Sequence, residues 1–296
     1  MHFTVRQMNV LLAVAEHGNL TAAAKACHVT QPTVSMQLKS MAEQVGLPLY
    51  EVIGKQVFLT SAGEAVAKSA RVMRDELQFL EQSINAMKGH TQGSLRVALV
   101  STAKYFVPRM LGSFFKKYPE IDISFEVLNR DGVVSRLKEN ADDLYIMSMP
   151  PVDLELECFA FMENPLSVIA PRKHRLAQRK SITLTDLKDE QFILRESGSG
   201  TRLACNAYFA TKHFEPKVRL ELGSNEAIKQ AVAGGLGISV LSEHALVGRG
   251  VKEGLVVLPI REFPIHSNWW IIFPKGKRLS PIAQVFLQHL KKNVSA

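Results

Sequence analysis

The chain has 296 residues, 46% of them hydrophobic and 22% charged, with a net charge of +8 and three cysteines. No stretch approaches the ~18 apolar residues of a membrane-spanning helix, and Met1-His2-Phe3-Thr4-Val5-Arg6 is not a secretory apolar run, so a cytoplasmic protein without membrane contact is expected. Cys27, Cys158 and Cys205 lie far apart with no His or Cys at ligand spacing, which argues against a zinc site and a disulfide framework; no metal or cofactor is expected.

Val10, Leu11, Val14 and Ala15 draw one apolar stripe along a first helix that ends before Gly18-Asn19. Ala22-Ala23-Ala24 gives a second helix small enough to cross its neighbour closely, and Cys27 and Val29 close a little core around the turn. Thr30 can cap a third helix, Pro32 sits in its first turn where a missing N–H costs nothing, and Val34, Leu38, Met41 and Val45 form its buried stripe. At about 100° per residue the opposite face collects Pro32, Thr33, Ser35, Met36, Lys39 and Ser40, with Gln31 at the helix N-terminus. These side chains let a helix sit deep in a major groove. Leu49 to Val52, the turn Gly54-Lys55, and Val57 to Leu59 read as a hairpin wing with Lys55 placed to meet phosphate. Amphipathic helices between turns would fit any small helical bundle equally well, and these residues taken alone leave that reading level with a DNA-binding one. Charge does not mark the segment, since residues 1–92 hold eight Lys/Arg and seven Asp/Glu.

Val66, Ala70, Met73, Leu77, Leu80, Ile84 and Met87 alternate steps of four and three, an a/d seam on a helix expected from Ala62 to Lys88. Ser61 and Glu64 form its expected capping box, and Gly89 follows its end. So long a helix, roughly 40 Å, with one narrow apolar stripe and charged flanks needs a partner and reads as a dimerisation helix.

From Gly93 the pattern alternates strands and helices: strands at Leu95–Val100, Ile121–Leu128 and Leu144–Met149, helices at Phe106–Lys117 and Val133–Asn140. A second unit has strands near Leu166–Ala170, Phe192–Leu194, Val218–Leu222 and Ile238–Leu241, and helices near Thr201–Lys212 and Glu226–Ala233. Trp269–Phe273 adds a strand and Pro281–Lys292 a last helix. Ligands in such folds bind at strand carboxyl ends, where helix N-termini offer unpaired N–H groups. Two corners fit a small anion: Ser101-Thr102-Ala103-Lys104, and Glu196 to Arg202, where Ser199, Gly200, Thr201 and Arg202 combine hydroxyls, backbone N–H groups and a cation. An ordinary capped helix after a Gly-rich turn is the plainer alternative at each. Asn129 and Ser148 at other strand ends, and Asn225, which could cap the Glu226 helix, are secondary candidates. Gly234-Gly235-Leu236-Gly237 reads as a helix-to-strand turn, and Arg172-Lys173-His174-Arg175 with Arg179-Lys180 as a solvated loop. No G-x-S-x-G elbow or H-E-x-x-H occurs, so an enzyme is disfavoured.

Val10 to Gly63 resembles the winged helix-turn-helix of the LysR-type transcriptional regulators. The match is carried in order by Ala15-Glu16-His17-Gly18-Asn19-Leu20-Thr21, Gln31-Pro32-Thr33-Val34-Ser35, Leu47-Pro48-Leu49-Tyr50-Glu51 and Leu59-Thr60-Ser61-Ala62-Gly63-Glu64. Met36 and Val52 stand where many members carry Arg, which weakens guanine reading and leaves Met36 able to touch a thymine methyl. Gln31 to Gln37, Glu51 to Lys55 and Leu194 to Arg202 look most like the branch that controls carbon-fixation and bicarbonate-uptake genes. The resemblance implies a winged helix-turn-helix domain over 1–60, a linker helix over 61–90 and a two-lobed α/β effector domain over 91–296, like a periplasmic binding protein. Lobe I would cover about 91–164 and 271–296, lobe II about 165–270, with crossings near Asn164–Ser167 and Trp270. It implies a transcription regulator, with activation the expected sense, that works on promoter DNA as a homodimer or homotetramer. A small anionic effector would control it, and RNA polymerase is a further partner that reading admits. A small-molecule binding protein, or an enzyme acting on a metabolite, built on the two lobes is the alternative.

Overall fold

The computed structural model describes residues 1–246 and 254–292. One compact unit is Met1–Gly89, with Glu139–Ala141 assigned to it, and the other holds the rest of the chain from His90. The last residues of lobe I as expected from sequence, 293–296, lie outside the described residues.

In the first unit, α1 (Val5–His17), α2 (Leu20–Ala26) and α3 (Gln31–Val45) each begin at a side chain that accepts a first-turn N–H, from Thr4, Asn19 and Thr30. α1 and α3 both stop at a left-handed glycine, Gly18 and Gly46. Leu11, Val14, Ala23, Val34, Leu38 and Met41 are buried together, and Val45 is half-buried at the edge of that core. β1 (Tyr50–Ile53) and β2 (Gln56–Leu59) pair antiparallel as the wing.

α4 spans Ser61–Met87. Its cap is Thr60 and not Ser61: the Thr60 hydroxyl accepts from the Gly63 N–H at 3.1 Å and donates to the Pro48 carbonyl at 2.6 Å, which ties the helix start to the segment entering the wing. Val66 and Ala70, expected in the seam, belong to the face that closes this unit's own core beside Ala67. The exposed apolar row starts at Met73 and runs through Leu77, Leu80, Ile84 and Met87, with Val72 beside it.

The second unit opens with β3 (Gly93–Val100), α5 (Val107–Lys117), β4 (Ile121–Leu128), α6 (Arg130–Lys138), β5 (Leu144–Met147) and β6 (Leu156–Glu163). There follow β7 (Leu166–Pro171), β8 (Gln191–Arg195), α7 (Gly200–Thr211), β9 (Lys217–Leu222), α8 (Asn225–Ala233), β10 (Ser239–Ser242) and β11 (Leu255–Val257). β12 (Asn268–Pro274) and α9 (Pro281–Lys292) complete it. Lobe I is the sheet β4-β3-β5-β12-β6, with β3 parallel to β4 and β5, and β12 antiparallel to β5 and β6. Its core includes Leu95, Val97, Phe114, Tyr145, Ile271 and Phe286. Lobe II joins β10-β7-β11 to the parallel pair β8-β9 through Phe192 and Ile238, where two backbone hydrogen bonds of 2.8 Å link Ile193 and Gln191 to Ile238.

The chain passes from β6 to β7 at 163–166 and returns at 265–268. The two passages are bonded to each other: Asn164 donates to the Ser267 carbonyl at 2.8 Å, and Leu166 and Ile265 exchange bonds of 3.0 and 2.9 Å. The return lies a few residues before Trp270, so Asn268 to Trp270, expected in lobe II, are part of lobe I's sheet. Other differences are local. β6 and β11 were not expected, Ser101–Tyr105 forms a 3-10 turn ahead of α5, and α6 starts three residues before Val133. Gly234 to Gly237 form the turn from α8 into β10.

Candidate DNA-reading surface and effector cleft

On α3 the outward positions are exposed at Gln31, Pro32, Met36 and Lys39 and half-exposed at Thr33 and Ser35. Gln31 Nε2 donates to Ser35 Oγ at 3.0 Å, and the Thr30 and Thr33 hydroxyls bond each other at 2.8 Å, so the polar groups of this face are held in one arrangement before any partner arrives. Met36 is 65% and Val52 55% exposed, and both line the groove between α3 and β1 together with Ser35, Lys39 and Tyr50. The wing turn is fixed to the turn between α1 and α2: Val57 donates to the Gly18 carbonyl at 2.8 Å and Asn19 Nδ2 to the Lys55 carbonyl at 3.3 Å. Lys55 itself stays exposed at the tip. If Met36 meets a thymine methyl and Lys55 a phosphate, their substitutions should differ in kind. Met36→Ala should erase the preference for thymine over uracil at one position per half-site. Lys55→Ala should weaken every duplex alike and lower the salt slope by about one. Binding titrations at several salt concentrations check this, and identical behaviour of the two variants would reject the division.

The second unit brings the carboxyl ends of β3, β5 and β8 and the starts of α6 and α7 around one narrow cleft. Ser101, Thr102, Asn129, Ser148, Ser199, Gly200 and Thr201 line it, as do Val100, Trp269 and two arginines, Arg130 and Arg195. Gly200 passes so close to β5's end that an added Cβ would lie 3.1 Å from Ser148 Oγ. Ser199 caps α7, its hydroxyl accepting from the Arg202 N–H, so that helix's first turn opens on the cleft. Asn225 does not cap α8, because Ser224 does; its side chain accepts from Arg195 Nη1 at 2.7 Å and donates to Thr102 Oγ1 at 3.1 Å. Arg195 is buried and bidentate to Glu196 at 2.7 and 2.9 Å, and its Nη2 lies 3.4 Å from Ser101 Oγ. Arg130 donates to the Met149 carbonyl at 2.7 Å.

Arg202, expected in the cleft, is directed elsewhere. Its guanidinium bonds Glu221 and the Arg195 carbonyl, both at 2.8 Å, and Asn206 at 3.1 Å. Two residues beyond Gly200 is about 200° around the helix, which puts this side chain on the far face. The cations at the cleft are Arg130 and Arg195, and both were missed. Arg195 had a signal: a charge that ends the apolar run Phe192-Ile193-Leu194 is a charge at a buried strand end.

Beside the cleft, Tyr105 of lobe I hydrogen-bonds Glu226 of lobe II, with Lys104 at 3.7 Å and Lys229 at 3.2 Å from the same carboxylate. Burial opposes ionisation of Glu226, but hydrogen bonds from Tyr105 and Lys229 and the charges of Lys229 and Lys104 outweigh it and hold the carboxyl below its ordinary range. The Tyr105 phenol is pushed up, first by burial and then by this carboxylate. The cysteines stand apart from the site: Cys205 is buried in α7 with its thiol pushed up to about 12, and Cys27 and Cys158 are free. In the loop after β7, Arg179 pairs with Asp186 and His174 with Glu190. Among the described residues no helix is long and apolar enough to cross a membrane.

Residues 5–64 match the bacterial regulatory helix-turn-helix protein, lysR family, and residues 88–295 match the LysR substrate binding domain. The chain belongs to the LysR family of transcriptional regulators. This LysR-type regulator is 45% identical over 97% of its length to the HTH-type transcriptional activator CmpR of Synechocystis sp., covering 94% of that protein. It is 43% identical over 98% of its length to the RuBisCO operon transcriptional regulator of Acidithiobacillus ferrooxidans, again covering 94%. Among solved structures, the Synechocystis CcmR regulatory domain in complex with 2-PG is 52% identical, with a TM-score of 0.66 over 69% of this chain and 98% of that one. A LysR-type regulator thus carries here a winged helix-turn-helix and a two-lobed α/β domain whose lobes meet at the cleft just described.

Proposed function

We propose that this LysR-type regulator senses 2-phosphoglycolate or a closely similar small phosphorylated acid in the lobe cleft, and that closure on it changes how a paired set of winged helices holds a promoter. The observation that carries the reading is the cleft itself: hydroxyls of Ser101, Thr102, Ser148, Ser199 and Thr201 from both lobes, the start of α7 and the cation of Arg130 surround one small space. Hydroxyls and backbone N–H groups can replace the water of an anion, and a ligand touching both lobes favours the closed state by its differential affinity. The 2-PG named for the CcmR domain, at 52% identity, supports the choice of ligand. The names of CmpR and the RuBisCO operon regulator support carbon-fixation or bicarbonate-uptake genes as targets and activation as the sense. A cytoplasmic homodimer or homotetramer that recruits RNA polymerase and turns nothing over completes the reading.

Calorimetry with 2-phosphoglycolate tests it. Thr102→Val strands the buried Asn225 amide and removes a cleft hydroxyl; Arg130→Ala removes a cation. Each should weaken the ligand at least roughly tenfold, which corresponds to about 1.4 kcal/mol, while leaving ligand-free operator binding near the parent level. Footprints with and without ligand should then cease to differ. Parent-like ligand binding and footprints in both variants would overturn the cleft assignment, and consumption of 2-phosphoglycolate by the purified protein would favour an enzyme instead.

A further inference from the structure

Trp269 is the largest of the fully buried side chains, 1% exposed, and it lines the effector cleft. Its ring packs in a three-ring cluster with Phe106 of lobe I, centroids 5.0 Å apart, and His244 of lobe II, 6.3 Å away edge to face; Phe106 and His244 are themselves 5.1 Å apart. The strand is irregular at this point. β12 slips register against β6 between Trp269 and Trp270, so that Trp269 pairs with Met162 and Trp270 with Ala160. A slip of this kind bends a strand and re-aims one side chain, and such slips gather beside binding sites. The indole N–H is buried, and among the described residues it has no acceptor. A buried indole N–H ordinarily finds a partner, because leaving it bare costs about 1–3 kcal/mol. An orphan donor on a ring held by both lobes, at the wall of a cleft otherwise equipped for an anion, is a donor kept for what enters the cleft.

We propose that the Trp269 indole N–H donates to an oxygen of the bound effector, making Trp269 a ligand-contacting residue on the hinge side of the cleft. The inference rests on the effector reading above and adds to it a buried donor at the cleft that has no acceptor among the described residues. It also gives closure a sensor, since the ring packs on both Phe106 of lobe I and His244 of lobe II.

With only two tryptophans in the chain, the indole region of a nitrogen-15 correlation spectrum holds two cross-peaks, and Trp269→Phe assigns them. On saturation of the full-length protein with 2-phosphoglycolate, the Trp269 indole proton should move downfield and exchange more slowly with solvent. Trp269→Phe keeps an aromatic ring but no donor and should weaken the ligand roughly tenfold, in the range of a hydrogen bond to a charged group. The smaller ring leaves a gap in the core, so the melting temperature should fall by a few degrees, and affinities are compared well below that transition. An indole peak that ignores the ligand, or a Trp269→Phe variant with parent affinity, overturns the proposal and leaves the effector reading standing. Failure of the parent protein itself to bind 2-phosphoglycolate would remove the effector reading, and this donor with it.

Discussion

Leu77→Glu combined with Leu80→Glu is expected to yield a monomer that no longer holds its operator. Both positions lie in the exposed apolar row of α4, at 44% and 53%. On a free helix surface glutamate is a good residue, so the monomer's fold and circular dichroism should be unaffected. In a two-helix seam the same carboxylates would be desolvated without partners, and each such burial costs several kcal/mol. Loss of the dimer separates two reading heads that otherwise bind successive major grooves together, about 34 Å or more apart, so affinity should fall by orders of magnitude and not by a factor. Light scattering together with operator titration checks this. A double variant that remains dimeric and binds normally would mean that α4 is covered by something other than its own copy.

Gly63→Ala is expected to destabilise the first unit by several kcal/mol, although the same change in most helices stabilises by about 1 kcal/mol. Gly63 is in the first turn of α4, and a Cβ there would lie 1.9 Å from the Leu49 carbonyl oxygen and 2.9 Å from its carbon, both backbone atoms. The chain cannot step back easily. Gly63 is bonded to Thr60, Thr60 donates its own N–H to that same Leu49 carbonyl at 3.1 Å, and its hydroxyl holds Pro48. Relief would therefore break the cap or pull the wing off the helix bundle. The first thermal transition of the full-length protein should drop by roughly 10 °C or more. A midpoint equal to the parent's would show that the helix and wing can separate at no cost.

The DNA-reading unit was legible because its signals are local. Caps, a first-turn proline, terminal glycines and a 3.6-residue period all lie within a few residues of what they specify. Strands of lobe I were legible where they are buried on both faces, as in Leu95 to Val100 and Leu144 to Met147. β6 was not, since Leu156 to Glu163 sits at a sheet edge where burial alternates imperfectly among Cys, Phe, Met and Glu. For α4 the period was right and the face was not fully assigned. Sequence shows that Val66 and Ala70 share a stripe with Leu77, but not that the stripe's first turns are used by the chain's own core. At the cleft, the strand ends and strand-to-helix corners named Ser101, Thr102, Ser148, Ser199 and Thr201, and the fold brings these five to one pocket. Arg202 was misplaced because residue type outweighed the 100° rule, and Trp269 was invisible because a register slip between two strands leaves no mark in either one.

The paired crossings at 163–166 and 265–268 set what kind of signal the lobes can send. Two independent tethers would let the lobes bend, twist and slide against each other. These are stitched side by side by three backbone bonds, so a change of dihedral in one must be matched in the other. Matched tethers of this kind favour rotation about the ribbon over twisting and sliding, and Trp269 lies next to that ribbon. A sensor with one soft coordinate reports occupancy as an angle. Ligands that differ in chemistry but prop the lobes at the same angle would be read as the same message, and a ligand that binds tightly at the wrong angle would be silent.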